Sequence, residues 1–199
     1  MNNSKLDLLT PSNSVLLLVD YQAAMFNGVG SGDRTIIKNS AVATAKAASI
    51  LDVPTILTSI YPEGNGEFIK EITDLFPQIK VIARKLPSFD ALEEGAVLAA
   101  VKATGHKKLV VSGLWTSMCF AFTALHGLRE EMDVYGLIDA AGDATYDAHK
   151  YGIKRMLQAG VIPITWETIT SEWMHDWSNP KVAELKKEVY GTYDVMLGL

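Results

Sequence analysis

Six short apolar runs, most followed by turn formers and a stretch of helical periodicity, constrain this sequence more than any other feature. They occupy residues 15–19 (VLLLV), 54–59 (PTILTS), 80–84 (KVIAR), 108–112 (KLVVS), 134–139 (VYGLID) and 161–165 (VIPIT). The first and fourth are largely apolar without alternation, the pattern of strands buried on both faces of a parallel sheet. Helical signals separate the runs. Asp33 is a good N-cap for a helix to about Leu51, and a short helix is expected over about 67–76. Asp90 with Glu93 resembles a capping box, opening a helix that Gly105 closes. Further helices are expected from Cys119 to about Glu131, over 147–158 with a stop at Gly160, and around 181–189. Alternating strands and helices imply an α/β fold of three layers, α/β/α, around a doubly wound six-stranded parallel sheet. The strand order expected by analogy with such folds is 3-2-1-4-5-6. The sequence contains no linker, repeat or low-complexity segment, so residues 1–199 read as a single domain.

Composition narrows the classes of function. The net charge is −5, and no run of Lys and Arg offers a track for phosphates, so no nucleic-acid partner is expected. No apolar stretch approaches the ~20 residues needed to cross a bilayer, so no membrane partner is expected either. Residues 1–14 lack the apolar centre of a signal peptide. The single cysteine excludes an internal disulfide and suits a reducing compartment, which points to the cytoplasm. Glycines 28, 30 and 32 do not form G-x-G-x-x-G, and no P-loop occurs, so no nucleotide cofactor is expected. No His, Cys or Asp pair has recognised metal-ligand spacing, and the loop after the second run holds Glu63 and Glu67 but no His. The expectation is no cofactor and no metal.

The architecture itself says where chemistry belongs. In open parallel sheets the site lies beyond the carboxyl ends of the strands, where strand order reverses. Strands 1 and 4 meet there. Asp20 ends strand 1, and Cys119 follows strand 4 where a helix begins, with unpaired N–H groups able to favour a thiolate. Lys85 ends strand 3 farther along the same rim and has to reach inward. Each has a plainer reading: an Asp after a strand often caps a helix, Lys85 beside Arg84 suits a solvated charge, and a lone cysteine is often a small core residue. Asp139 ends strand 5 with no nucleophile beside it and reads as structural. His126, seven residues after Cys119, lies about 10.5 Å along a helix and is out of the ~3 Å reach of a Cys–His dyad. The sequence leaves His106, His149 and His175 open. Trp166, Trp173 and Trp177 cluster near the end of the chain, suiting an oligomer interface or a satellite core equally.

Three motifs, in order, carry a resemblance: LVDYQ around Asp20, KLPSF from Lys85, and SGLWTSMC ending at Cys119. Over roughly residues 14–143 the chain resembles the isochorismatase-like cysteine hydrolases, and within them the YcaC-like group. The resemblance implies a catalytic triad of Asp20, Lys85 and Cys119, a cis peptide at Leu114–Trp115, and an oxyanion hole from the backbone N–H groups of Trp115 and Cys119. It implies a cysteine hydrolase that cleaves an amide-type C–N bond of a small molecule through a thioester, without metal. It also implies a homo-oligomer, with an octamer among the options. Metal-dependent nicotinamidases carry an Asp-x-His cluster after strand 2, which this chain lacks. Phe26, Phe89 and Trp115 are candidate walls of the substrate pocket, although aromatic residues there also suit plain core. Two other classes stay open: a catalytically silent binding or scaffold member of the fold, and a flavodoxin-like or nucleotide-binding protein.

Overall fold

The computed structural model describes residues 6–191. The first run becomes β1 (Ser14–Val19), every residue of it buried. A short α1 (Ala23–Asn27) follows, then α2 (Arg34–Ile50), which Asp33 caps by accepting the Thr35 and Ile36 N–H groups. Next come β2 (Thr55–Ile60), the single turns α3 (Pro62–Asn65) and α4 (Lys70–Thr73), and β3 (Ile82–Arg84). The helix expected over 67–76 shrinks to α4. The Asp90 cap also serves less than expected: it accepts from the Leu92 N–H and closes one 3-10 turn, Ala91–Glu93. The helix proper, α5 (Gly95–Ala103), starts after it.

β4 (Lys108–Gly113) leads into a wide, π-type helical turn, Thr116–Phe120, and then into α6 (Ala121–Arg129). The remaining elements are β5 (Asp133–Leu137), α7 (Tyr146–Ala159), β6 (Ile162–Ile164), α8 (Trp166–Met174) and α9 (Val182–Leu185), which runs on into a π-type turn, Lys186–Tyr190.

All strand pairs are parallel, and the sheet order is β3-β2-β1-β4-β5-β6, as expected. Successive side chains of a strand point to opposite faces, and β1 uses both. Leu16 and Leu18 join one apolar layer with α2, α8 and the segment 182–190; Val15, Leu17 and Val19 join the other with α5, α6 and α7. Each of these five side chains is fully buried, a contribution of roughly 1.5–3 kcal/mol apiece relative to exposure. Two of the clustered tryptophans belong to this packing. Trp166 and Trp173 are buried, with Trp173 Nε1–H donating to Ser14 Oγ at 2.9 Å, whereas Trp177 is exposed against Tyr190. Among the described residues no helix is long and apolar enough to cross a membrane.

The register sets the site. Val19 lies opposite Thr58 of β2 and Gly113 of β4, so β1 and β4 end level while β2 runs on to Ile60. A Cβ on Gly113 would stand 2.6 Å from the Val19 carbonyl oxygen and 2.7 Å from its Cβ. Only glycine lets β4 approach β1 this closely at the point where both strands release their functional loops.

Candidate active site

Asp20 leaves β1 in the left-handed region, with φ 59°. A non-glycine residue held there costs energy, and such residues cluster at functional sites. Its N–H is tied to the Thr58 carbonyl at 2.9 Å, and its carboxylate is turned into the protein. There it meets Arg84. Nη1 donates to Oδ1 and Nη2 to Oδ2, both at 2.8 Å, and neither side chain has exposed surface (0% each). This is the two-pronged geometry in which a guanidinium matches a carboxylate. Arg84 ends β3 and reaches across β2, passing Thr58 Oγ1 at 3.5 Å.

Lys85, the expected cation of the triad, is not brought to this pair. It is exposed, and its backbone N–H donates to Glu94. Arg84 is the last residue of β3 and is held by its pairing with β2, whereas Lys85 is the first residue past the strand and is exposed.

The third component arrives from β4. The Leu114–Trp115 peptide is cis, and the wide turn after it carries Cys119, which is 3% exposed. The Cys119 thiol lies close enough to the Asp20 carboxylate for each to shift the other's titration, with the Trp115 N–H near the sulfur. Asp20, Arg84 and Cys119 thus share one buried cluster at the switch between β1 and β4. Its electrostatics differ from the sequence expectation. Burial pushes the Cys119 thiol up, the adjacent Asp20 charge pushes it further, and Arg84 with the Trp115 N–H offsets only part. Burial likewise raises Asp20 despite the Arg84 pairing. The helix-terminus argument for a low thiol pKa fails because desolvation and a facing carboxylate outweigh a dipole effect of at most ~2 kcal/mol. The thiol rests protonated beside its base.

The turn is anchored from outside. The Thr116 N–H donates to Gly142 O at 2.9 Å, Thr116 Oγ1 pairs with His149 Nδ1 at 2.8 Å, and the Ser117 N–H donates to Asp143 Oδ2 at 2.7 Å. Burial holds His149 below its usual range. The other histidines lie in different settings: His126 Nδ1 pairs with Asp90 Oδ2 at 2.8 Å, His106 Nδ1 with Ser14 O at 2.7 Å, and His175 is exposed. Asp139 accepts from the Trp166 N–H and so caps α8.

The aromatic candidates scatter. Phe26 is buried against Tyr21, with ring centroids 5.9 Å apart. Trp115 is half-buried, its Nε1–H donating to Met25 O at 2.8 Å. Phe89 goes elsewhere, half-exposed and edge-on to Phe122. It lines an open groove of ≈ 1020 Å3 with Leu86, Phe122, Leu125, Arg129 and Arg155, which none of Asp20, Arg84 or Cys119 borders. Among the described residues no cluster of three or more His, Cys, Asp and Glu is placed to hold a metal ion.

Comparison with known proteins places the family. Residues 14–168 match the isochorismatase domain model. The chain is 34% identical to the probable hydrolase YcaC of Escherichia coli over 172 residues, covering 86% of this chain and 82% of that one. The E. coli YcaC crystal structure, described as an octameric hydrolase of unknown specificity, superposes with a TM-score of 0.88 at 32% identity, covering 96% of this chain and 95% of that one. The YcaC structure from Pseudomonas aeruginosa, with hexane-2,5-diol and covalent acrylamide, superposes with a TM-score of 0.86 at 30% identity and 98% coverage of each chain. With this sheet order and these relatives, the chain belongs to the isochorismatase-like hydrolase family.

Proposed function

We infer that this protein is a cysteine hydrolase of small amide-type substrates, with Asp20, Arg84 and Cys119 as its reacting constellation. The observation that carries the reading is the buried Asp20–Arg84 pair with the Cys119 thiol beside it. A nucleophile that stands next to its base needs no resting thiolate. As sulfur attacks the carbonyl carbon, the thiol proton passes to Asp20 and the carbonyl π pair becomes an oxyanion. The N–H groups of Trp115 and Cys119 are the proposed donors to it, each worth ~3 kcal/mol in comparable sites. Protonated Asp20 then gives its proton to the leaving nitrogen, the C–N bond breaks, and ammonia or an amine departs. Water attacks the thioester while Asp20 accepts its proton, the C–S bond breaks, and the acid leaves as sulfur is reprotonated. Arg84 keeps the carboxylate oriented and compensates its charge in the interval. No step calls on a metal.

Support comes from the covalent acrylamide in the P. aeruginosa relative, a small amide electrophile. The octameric E. coli relative supports a homo-oligomer, and the single cysteine supports a reducing, cytoplasmic setting. Phe26 and Trp115 remain proposed pocket walls beside this constellation, and Phe89 is not. One observation favours a second reading, a catalytically silent scaffold of the same fold: Cys119 is only 3% exposed. A panel of small primary amides, assayed for ammonia release with wild type and Cys119→Ala, decides between them. The hydrolase releases ammonia from at least one amide and Cys119→Ala loses it. A wild type inert to the whole panel, or a Cys119→Ala variant as active as wild type, overturns the proposal.

A further inference from the structure

The wide turn that carries Cys119 has no cap of its own: no side chain within it accepts its first N–H groups. A helical start without a cap leaves donors unsatisfied and the turn free to fray. The missing acceptor comes from 26 residues away in sequence, from Asp143 in the loop after β5. Asp143 is 1% exposed and every polar atom of it is engaged. Oδ2 accepts from the Ser117 N–H at 2.7 Å and Oδ1 from the Ala144 N–H at 2.8 Å. Its own N–H donates to Ser31 Oγ at 2.9 Å, and its carbonyl accepts from the Gly30 and Ser31 N–H groups at 2.9 and 3.0 Å. One residue thus joins three loops: the segment after α1, the nucleophile turn, and its own. The opposite side of the turn is closed by α7. A Cβ on Gly152 would stand 2.9 Å from Ser117 Cα, so the helix backbone rests directly on the turn.

We propose that Asp143 is a positioning residue, a tertiary cap whose backbone is braced by Ser31 and whose carboxylate holds the 116–120 turn so that Cys119 faces Asp20 and the Trp115 N–H. The proposal rests on Cys119 being the nucleophile. It does not require that the substrate be an amide. His149, in the first turn of α7, is a titratable neighbour that Asp143 acts on electrostatically, and among the described residues no Lys or Arg is seen hydrogen-bonding the Asp143 carboxylate.

The test is alkylation of Cys119 by iodoacetamide across pH 6–11, with intact-mass readout. The chain has one cysteine, and Cys119→Ala run in parallel subtracts the alkylation of amines that sets in at high pH. Wild type is compared with Asp143→Asn, with Ser31→Ala, and with Asp139→Asn, which loosens the α8 cap without touching the turn. If Asp143 positions the turn, releasing it lets the sulfur leave its buried, Asp20-facing setting and titrate closer to an ordinary thiol, ~8.5. At pH 8 alkylation then rises at least about tenfold for Asp143→Asn and by about threefold for Ser31→Ala, with Asp139→Asn on the wild-type curve; a tenfold rise corresponds to about one unit in midpoint. Ser31→Ala changes no charge and removes only the tie to the Asp143 N–H, so its superposition on wild type means that Ser31 does not brace the cap, and that part of the proposal is wrong. The whole proposal is wrong if Asp143→Asn follows wild type, or if Asp139→Asn shifts as far as Asp143→Asn. Because alkylation needs no turnover, a wild type that hydrolyses no amide leaves this result readable.

Discussion

Removing the Arg84 side chain separates the two cations at the end of β3 most cleanly. In Arg84→Ala the Asp20 carboxylate stays buried, with no exposed side-chain surface, and loses both 2.8 Å hydrogen bonds. Breaking one partner of a buried pair costs about 3–5 kcal/mol, because the other charge is left uncompensated. For a chain of 199 residues each kcal/mol moves the thermal midpoint by about 2–4 °C, so the expected loss is roughly 6–20 °C. Lys85→Ala removes an exposed side chain and stays within about 0.5 kcal/mol, or roughly 2 °C. The sign with pH follows from Asp20, which burial already raises and which rises further without its cation. A group whose folded pKa is raised gives stability that is present at low pH and lost as pH rises through that pKa. The Arg84→Ala penalty is therefore largest near pH 7 and shrinks on acidification as the carboxyl takes up its proton. The double variant Arg84→Ala/Asp20→Asn, with both charges gone, recovers part of the loss. Calorimetric melts at pH 7 and pH 5 measure all of this. A Lys85→Ala variant that loses as much as Arg84→Ala, or an Arg84→Ala penalty that grows on acidification, would refute the reasoning.

Three further outcomes are expected. Asp139 is pushed up to about 6, chiefly by burial, so it contributes stability below about pH 4 that is lost as pH rises through about 6; denaturant titrations of wild type and Asp139→Asn should differ in slope across pH 4–6, and parallel curves would contradict it. Gly113→Ala forces a methyl to 2.6 Å from the Val19 carbonyl oxygen and should destabilise by about 1–3 kcal/mol or more, as overpacking does, seen as a lower thermal midpoint. Wild-type Cys119 should react slowly with iodoacetamide at pH 7 and much faster toward pH 10, the direction set by its raised pKa; a half-maximal rate near pH 7 would show the sulfur in a different environment.

The fold was legible because its signals are local and repeated. Continuous apolar runs such as residues 15–19 mark strands buried on both faces, and β-α alternation leaves few topologies. Asp33 capping α2 is a one-residue signal that survives tertiary context. The single turn α3 was not legible and α4 was drawn too long, since four residues carry no period. At the site, strand ends told where Asp20 and Cys119 stand but not which of two adjacent cations faces inward. The strand end held that information: Arg84 is the last paired residue of β3, opposite Ile60, and Lys85 lies beyond the pairing. The thiol pKa was misjudged because a helix terminus is visible in sequence whereas desolvation and a facing carboxylate are products of packing. Asp143 escaped for the same reason, and His149 was named but left open. Their contacts span 26 and 33 residues to Ser117 and Thr116, with no spacing that announces them.

The most direct test of the central claim is intact-mass spectrometry of wild type quenched in acid within milliseconds of mixing with a turned-over amide. The account predicts a covalent acyl adduct of the substrate's acid portion on the peptide containing Cys119, formed at least as fast as ammonia appears and absent from Cys119→Ala. Steady turnover with no adduct at any time, or an adduct on a different residue, contradicts it.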